Sequence, residues 1–145
     1  EMSNTRNRGK ILWILASSRP DLIEVDLKRP GRIDVKIPLF PSINSHEAYD
    51  LIRALCQKQG VSLPKGEADA WGELLPDHLT AGAAEAIAVK VYRLMKAASL
   101  SEAEALSQIL SDYQSPIPPE VMEFQMDLAI REASDLSFIP DVFRK

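Results

Sequence analysis

Two arginines and one serine are the residues of this sequence whose types and spacing could act on a phosphate group. Arg29 and Arg32 stand three positions apart around a Pro-Gly pair, and Ser18 lies in the stretch Ser-Ser-Arg-Pro-Asp at residues 17–21. A guanidinium group is planar and permanently charged, so it can meet phosphate oxygens with paired hydrogen bonds. A serine hydroxyl can also donate to a phosphate, over a shorter reach than an amide side chain. The sequence therefore predicts polar and cationic groups at the edge of a phosphate site.

A helix start supplies a second candidate contact for a nucleotide. Thr80 can cap a helix from about residue 81 to 98, which places Gly82 and Ala83 in its first turn. Backbone N–H groups and the helix dipole favour an anion at such a position, and small residues permit close approach of a ligand.

Each of these features also has an ordinary structural explanation. Pro-Gly pairs are common at turns, so Arg29 and Arg32 could be solvated surface side chains. A serine pair at residues 17 and 18 could simply end a strand, and an alanine-rich helix start such as Gly82-Ala83 is a frequent packing device. The residues alone leave these alternatives open.

Other catalytic or metal-binding patterns are absent from the sequence. The single cysteine, Cys56, and the two histidines, His46 and His78, have no metal-ligand spacing, so we predict no metal site. The sequence holds no Gly-x-x-x-x-Gly-Lys-[Ser/Thr] loop, and no apolar strand ends in Asp-Glu. Because phosphate positioning and charge neutralisation need these groups, we expect this chain alone not to catalyse phosphoryl transfer.

The elements that must position these residues divide near Pro41. Residues 10–16 are apolar without alternation, which predicts a strand covered on both faces, and residues 33–39 alternate, which predicts a second strand. An isolated pair of strands is marginal in water, so we expect this front segment to be the remnant of a larger αβ core.

Every segment after Pro41 predicts helix. Capping-box patterns occur at Asn44 with Glu47 and at Ser101 with Glu104, and a last helix follows the prolines at 116–119. The predicted fold is therefore mainly α. It consists of a small αβ piece with about two parallel strands over residues 1–41, followed by a bundle of about five helices over residues 42–145.

Composition limits the partners of this chain. Its 46% hydrophobic and 26% charged residues are typical of a soluble globular protein, and the net charge of −4 argues against a nucleic-acid surface. The longest apolar run is too short to cross a bilayer, so no membrane partner is expected. A single cysteine fits a reducing compartment, and we predict a cytoplasmic protein.

Residues 10–40 resemble the second half of the nucleotide-binding core of AAA-type ATPases, a P-loop family that remodels proteins and assemblies. Residues 17–21 resemble the sensor-1 turn of that family, and residues 26–34, Asp-Leu-Lys-Arg-Pro-Gly-Arg-Ile-Asp, resemble its arginine-finger segment. The helical remainder resembles the family's lid, in which Gly82 and Ala83 match a pair that packs beside the nucleotide. Two positions depart from the family: Ser18 stands where asparagine is usual, and Ala84 where an acidic residue is common.

The resemblance implies a role for each candidate residue in an intact ATPase. Arg29 and Arg32 would be catalytic fingers acting on the ATP of a neighbouring subunit, Ser18 would sense the γ-phosphate, and the lid pair Gly82 and Ala83 would cover the base. ATP and Mg²⁺ would bind the intact protein, with neither held tightly by this chain alone. The implied partners are further copies in a ring, usually a hexamer, together with a protein substrate.

Two other functions remain open at this stage. Residues 42–145 could form a helical module that binds a protein partner, with the front segment as a non-catalytic scaffold. Alternatively, the departures at Ser18 and Ala84 suggest a degenerate ATPase that senses nucleotide without hydrolysing it.

Overall fold

A computed structural model describes residues 6, 9–29 and 31–144 of the chain. Positions 1–5, 7, 8, 30 and 145 lie outside the described residues, and they include the proline of the predicted Pro-Gly turn. The chain forms two compact units. One unit is Phe40–Ile117, and the other joins Glu1–Leu39 to Pro118–Lys145.

The described residues are mainly helical, as the sequence predicts. Five α-helices run in chain order: α1 Ser45–Lys58, α2 Ala68–Trp71, α3 Ala81–Ala98, α4 Glu102–Ser111 and α5 Pro119–Glu132. Short 3-10 helices occur at Pro20–Leu22, Gly72–Leu74, Leu136–Phe138 and Asp141–Phe143. The prediction of about five helices is confirmed.

Side-chain caps fix where α1 and α4 begin. At α4, Ser101 Oγ accepts the N–H of Glu104 at 3.3 Å, and the Glu104 carboxylate accepts the N–H of Ser101 at 2.9 Å, which completes the predicted capping box. At α1, Asn44 Oδ1 accepts the N–H of Glu47 at 2.9 Å. There the returning Glu47 carboxylate accepts the N–H of Ile43 at 3.0 Å, one residue before the cap.

The core of the Phe40–Ile117 unit lies where α3 packs against α1 and α4. Small side chains let these helices approach closely, and larger apolar ones fill the remaining space. The fully buried members include Ala48, Tyr49, Ile52, Cys56, Leu79, Ala84, Ile87, Ala88, Val91, Ala105 and Leu106. This unit therefore has a core of its own.

The two predicted parallel strands are not formed within the described residues. Neither residues 10–16 nor residues 33–39 pair in a β-ladder, and their apolar side chains are exposed: 85% for Leu12 and Ile14 and 90% for Leu39. An apolar pattern gives a segment only a preference for strand, because a strand is completed by hydrogen bonds to a second backbone. The part of the chain that the structure describes offers these segments no such neighbour, so the predicted strand remnant is not shown there.

The thiol of Cys56 should report on unfolding of the Phe40–Ile117 unit. Its side chain is fully buried, and burial raises the pKa of the thiol to about 11. Since the thiolate is the reactive form, we expect negligible labelling of the folded chain by a disulfide reagent at neutral pH. The labelling rate should rise with urea in step with the loss of helical circular dichroism. Rapid labelling without urea, with the helical signal intact, would contradict this burial.

Candidate functional site

Ser18 lies in an exposed turn that is ordered by the residues on either side of it. The N–H of Arg19 donates to Ser17 Oγ at 3.0 Å, and the Arg19 guanidinium donates to both carboxylate oxygens of Asp21, at 2.9 Å from Nε and 2.6 Å from Nη2. This bidentate pair lowers the pKa of the Asp21 carboxyl and raises the pKa of Arg19. The charge of Arg19 is thus paired with that of Asp21. The neighbouring Ser18 is exposed.

The same turn rests on α5. Pro20–Leu22 contacts this helix, and the Arg19 guanidinium carbon lies 5.9 Å from the centre of the Phe124 ring. A cation over an aromatic face at this distance is attracted by the electron density of the ring. α5 therefore supports the turn that carries Ser18.

Arg29 and Arg32 meet on one residue, Asp26, in the segment of residues 26–34, which we call the arginine loop. Arg29 Nη2 lies 3.2 Å from Asp26 Oδ1, and Arg32 Nη1 donates to the Asp26 backbone carbonyl at 2.9 Å. The structure therefore brings the two predicted finger residues together. The sequence pattern did not indicate the part played by Asp26.

Backbone contacts turn the arginine loop between the two arginines. The N–H of Arg32 donates to the carbonyl of Arg29 at 3.2 Å, and the N–H of Gly31 donates to Asp34 Oδ1 at 2.7 Å. Gly31 has φ +85°, a conformation that residues with side chains rarely adopt. The glycine of the predicted Pro-Gly turn is thus required by the backbone.

The arginine loop keeps much of its capacity to bind an anion. The Arg29 side chain is 71% exposed and Asp26 62% exposed, and an exposed ion pair of this kind contributes only about 0–1 kcal/mol. A guanidinium carries several N–H donors, of which the contact with Asp26 uses few. A phosphate could therefore replace the Asp26 carboxylate on Arg29 at little energetic cost.

Two lysines contact Glu132, the last residue of α5, from the two stems of the arginine loop. Lys28 precedes Arg29, and Lys36 follows the end of the loop. Lys28 Nζ lies 2.8 Å from Glu132 Oε1, and Lys36 Nζ lies 3.6 Å from Glu132 Oε2. The hydrogen bond from Lys28, together with the charges of both lysines, lowers the pKa of the Glu132 carboxyl. The sequence contains no signal for this contact, because Lys28 and Glu132 are 104 positions apart.

Gly82 and Ala83 belong to the other compact unit, at the start of α3. Thr80 Oγ1 accepts the N–H of Ala83 at 3.2 Å, so Thr80 caps the helix as predicted. Ala83 is 7% exposed and is part of the core, whereas Gly82 is exposed, and a Cβ atom added to it would meet no atom within 4 Å. Of the predicted pair, Gly82 is the residue with open space beside it.

A buried serine fixes the segment that leads into α3. The N–H of Ser42 donates to the carbonyl of Leu79 at 3.0 Å, and the Leu79 N–H donates to Ser42 Oγ at 2.9 Å. Ser42 is 6% exposed and Leu79 fully buried. Since Leu79 directly precedes Thr80, these bonds set the place at which the helix begins.

The described residues contain neither a metal-binding cluster nor a membrane-spanning helix. Among residues 6, 9–29 and 31–144, no three His, Cys, Asp or Glu side chains group in a way that could hold a metal ion. No helix in this described part of the chain is both long and apolar enough to cross a membrane.

Comparison with known proteins gives one partial match. The chain is 40% identical over 47 residues to the 26S proteasome regulatory subunit 10B homolog A of Arabidopsis thaliana. This match covers 32% of the chain and 12% of that protein. No protein-family model matches the chain, and no solved structure matches it significantly. The partial match supports, in general terms, a relation to the AAA-type ATPases.

The contact between Glu132 and the two lysines should appear in the pH dependence of stability. The folded chain lowers the pKa of Glu132 from its ordinary value of 4.5, so the contribution of this group is complete above that value. It is lost as the pH falls through the lower folded pKa, because the unfolded chain then binds more protons.

We therefore expect the free energy of unfolding to fall less between neutral pH and about pH 3 in Glu132→Gln than in the wild-type chain. Urea unfolding followed by circular dichroism measures this difference. Glu123→Gln, an exposed position on the same helix, is the matched control and should keep the wild-type pH profile. Parallel profiles for wild type and Glu132→Gln would contradict the assigned contact.

Proposed function

We propose that this chain is part of an AAA-type ATPase in which Arg29 and Arg32 act as fingers on ATP bound by a neighbouring subunit. Residues 1–41 would belong to its αβ core, and residues 42–145 would form its helical lid with a C-terminal extension. The observation that carries the proposal is the convergence of the exposed Arg29 side chain and the partly buried Arg32 side chain on Asp26 in a single turn. The partial match to a proteasome regulatory subunit supports the general relation.

The chemistry follows from the charge that phosphoryl transfer places on the γ-phosphate oxygens. Arg29 would exchange the Asp26 carboxylate for a phosphate oxygen, and the charge-assisted bond to phosphate is stronger than the exposed ion pair it replaces. Arg32 would bind a second oxygen while its link to the Asp26 carbonyl holds it near Arg29. Ser18 would donate its hydroxyl to the γ-phosphate of the ATP bound by its own subunit.

Acting in trans requires that the arginine loop lie at a subunit interface. Both Arg29 and Asp26 are more than half exposed, which leaves the tip of the loop accessible to another subunit. A finger that points from each subunit into the next defines a head-to-tail contact, and such contacts close into rings. We propose a ring of identical subunits, a hexamer as is usual in the family, which acts on a protein substrate in the cytoplasm.

The nucleotide site would be completed by groups that this sequence does not contain. ATP supplies the transferable phosphoryl group, and Mg²⁺ neutralises its oxygens when both are held by a P-loop and an acidic strand end. We place those elements upstream in the intact protein. The exposed apolar side chains of residues 11–15 would then pack as a strand in the same sheet.

Gly82 would approach the nucleotide from the lid. The space beside this residue is open to a ligand, and the first N–H groups of a helix have no partner within the helix. Ala83 would contribute by keeping the helix start compact, since its own side chain lies in the core.

The decisive experiment removes one finger from the intact protein. Arg32→Ala should lower ATP turnover by a factor on the order of 10³, since related GTPase fingers contribute about 10³–10⁵. Mixing these subunits with subunits that have an intact Arg32 but a disabled P-loop should restore part of the activity. Arg93→Ala, an exposed arginine on α3, is the control and should retain turnover. Full turnover by Arg32→Ala would refute the finger assignment.

The lid assignment has a separate test at Gly82. Gly82→Ala should fold normally and gain up to about 1 kcal/mol, because its Cβ meets no neighbour and alanine favours helix. Gly82→Leu should weaken nucleotide binding several-fold, measured by calorimetry, because the larger side chain fills the space proposed for the ligand. Ala97→Leu, an exposed position at the other end of α3, should bind nucleotide as wild type does. Equal affinity of Gly82→Leu and wild type would exclude a lid role for Gly82.

The same measurements separate the other two functions. A degenerate, nucleotide-sensing ATPase would bind ATP in the calorimeter without turnover, with or without Arg32. A helical interaction module would show neither binding nor turnover, and the intact protein would lack a P-loop and an Asp-Glu strand end upstream of residue 1.

A further inference from the structure

We propose that Glu132 is a positioning residue for the arginine loop, and that α5 thereby controls how Arg29 and Arg32 are presented to a neighbouring subunit. This inference rests on the proposed finger function. It concerns the C-terminal helix, to which the sequence assigned no role.

The geometry places Glu132 at both stems of the loop. Lys28, which directly precedes Arg29, lies 2.8 Å from one Glu132 carboxylate oxygen, and Lys36 lies 3.6 Å from the other. Two residues beyond Glu132, the Ser134 N–H donates to the Lys36 carbonyl at 3.2 Å and the Lys36 N–H donates to Ser134 Oγ at 3.1 Å. The end of α5 therefore holds the chain before Arg29 and again after Arg32.

Burial distinguishes the base of the loop, where Lys28 meets Glu132, from its tip, where Arg29 meets Asp26. The Lys28 and Glu132 side chains are 17% and 23% exposed, against 71% and 62% for Arg29 and Asp26. Solvent screens a partly buried pair less, and removing one partner leaves the other charge uncompensated. The loop thus has a firmly held base and a weakly held tip, which suits a side chain that must change partners from a carboxylate to a phosphate.

α5 also supports the turn that carries Ser18. Phe124 lies under Arg19, eight positions before Glu132, which corresponds to about 12 Å along a helix. A rigid helix that contacts both places fixes the spacing between the Ser18 turn and the arginine loop. A disturbance of α5 would therefore reach both of them.

The first experiment measures the loop itself in the 145-residue chain. Backbone ¹⁵N relaxation should give lower order parameters at residues 28–36 in Glu132→Gln than in wild type. Glu123→Gln, exposed on the same helix, should leave them unchanged. Unchanged order parameters in Glu132→Gln would overturn the inference, because the loop would then be held by other contacts.

The second experiment measures turnover by the intact protein. We expect Glu132→Gln to lower kcat by roughly tenfold with little change in KM for ATP, because a misplaced finger weakens binding of the transition state more than binding of ATP. Lys28→Met should have a similar effect, and the double variant should be no worse than either single one. Glu132→Asp keeps the charge and should recover most of the activity.

The outcomes separate this inference from the proposed function. If Arg32→Ala leaves turnover intact, the finger function fails, whatever Glu132 does to the loop. If Arg32→Ala abolishes turnover while Glu132→Gln matches Glu123→Gln, the finger function stands and the role of Glu132 is refuted. A loosened loop with unchanged kcat also refutes it, because Glu132 would then stabilise the loop without positioning the arginines.

Discussion

In the unit that carries the two arginines, one carboxylate, that of Glu132, contacts both Lys28 and Lys36. The described residues of Glu1–Leu39 include apolar side chains that are largely exposed, so little hydrophobic burial fixes the path of this segment. Its ties to α5 are instead polar: Lys28 and Lys36 on Glu132, the backbone of Lys36 on Ser134, and Arg19 over Phe124. Partly buried charge-assisted contacts can order a segment in this way, although each is weaker than a packed core.

The other unit, Phe40–Ile117, is ordered mainly by apolar packing. Its helices pack through buried alanines and larger apolar residues, and its polar contacts include the caps at helix starts and the Ser42–Leu79 bonds. Those bonds join the buried Ser42 to Leu79, the residue directly before Thr80, which caps the first turn of α3. The core side chains of that turn are Ala83 and Ala84, and Gly82 lies on its exposed side.

Sequence reasoning succeeded for several contacts between residues that are close along the chain, although it did not indicate those of Asp26 with Arg29 and Arg32. The capping box at Ser101 and the start of α3 at Thr80 depend on residues three positions apart, and the structure contains both. It also places contacts of both Arg29 and Arg32 on Asp26. The apolar run of residues 10–16 was different, because the fate of a strand depends on a neighbour that its own residues do not specify.

The sequence by itself determined the helices, their caps and the residue types that suit a phosphate, because these follow from periodicity and from bonds within a few residues. Only the tertiary structure decided that Asp26 gathers the two arginines, that Glu132 holds both stems of their loop, and that residues 10–16 remain exposed. Each of these depends on which groups meet after folding. A contact such as that of Lys28 with Glu132, across 104 positions, leaves no pattern in the order of the residues.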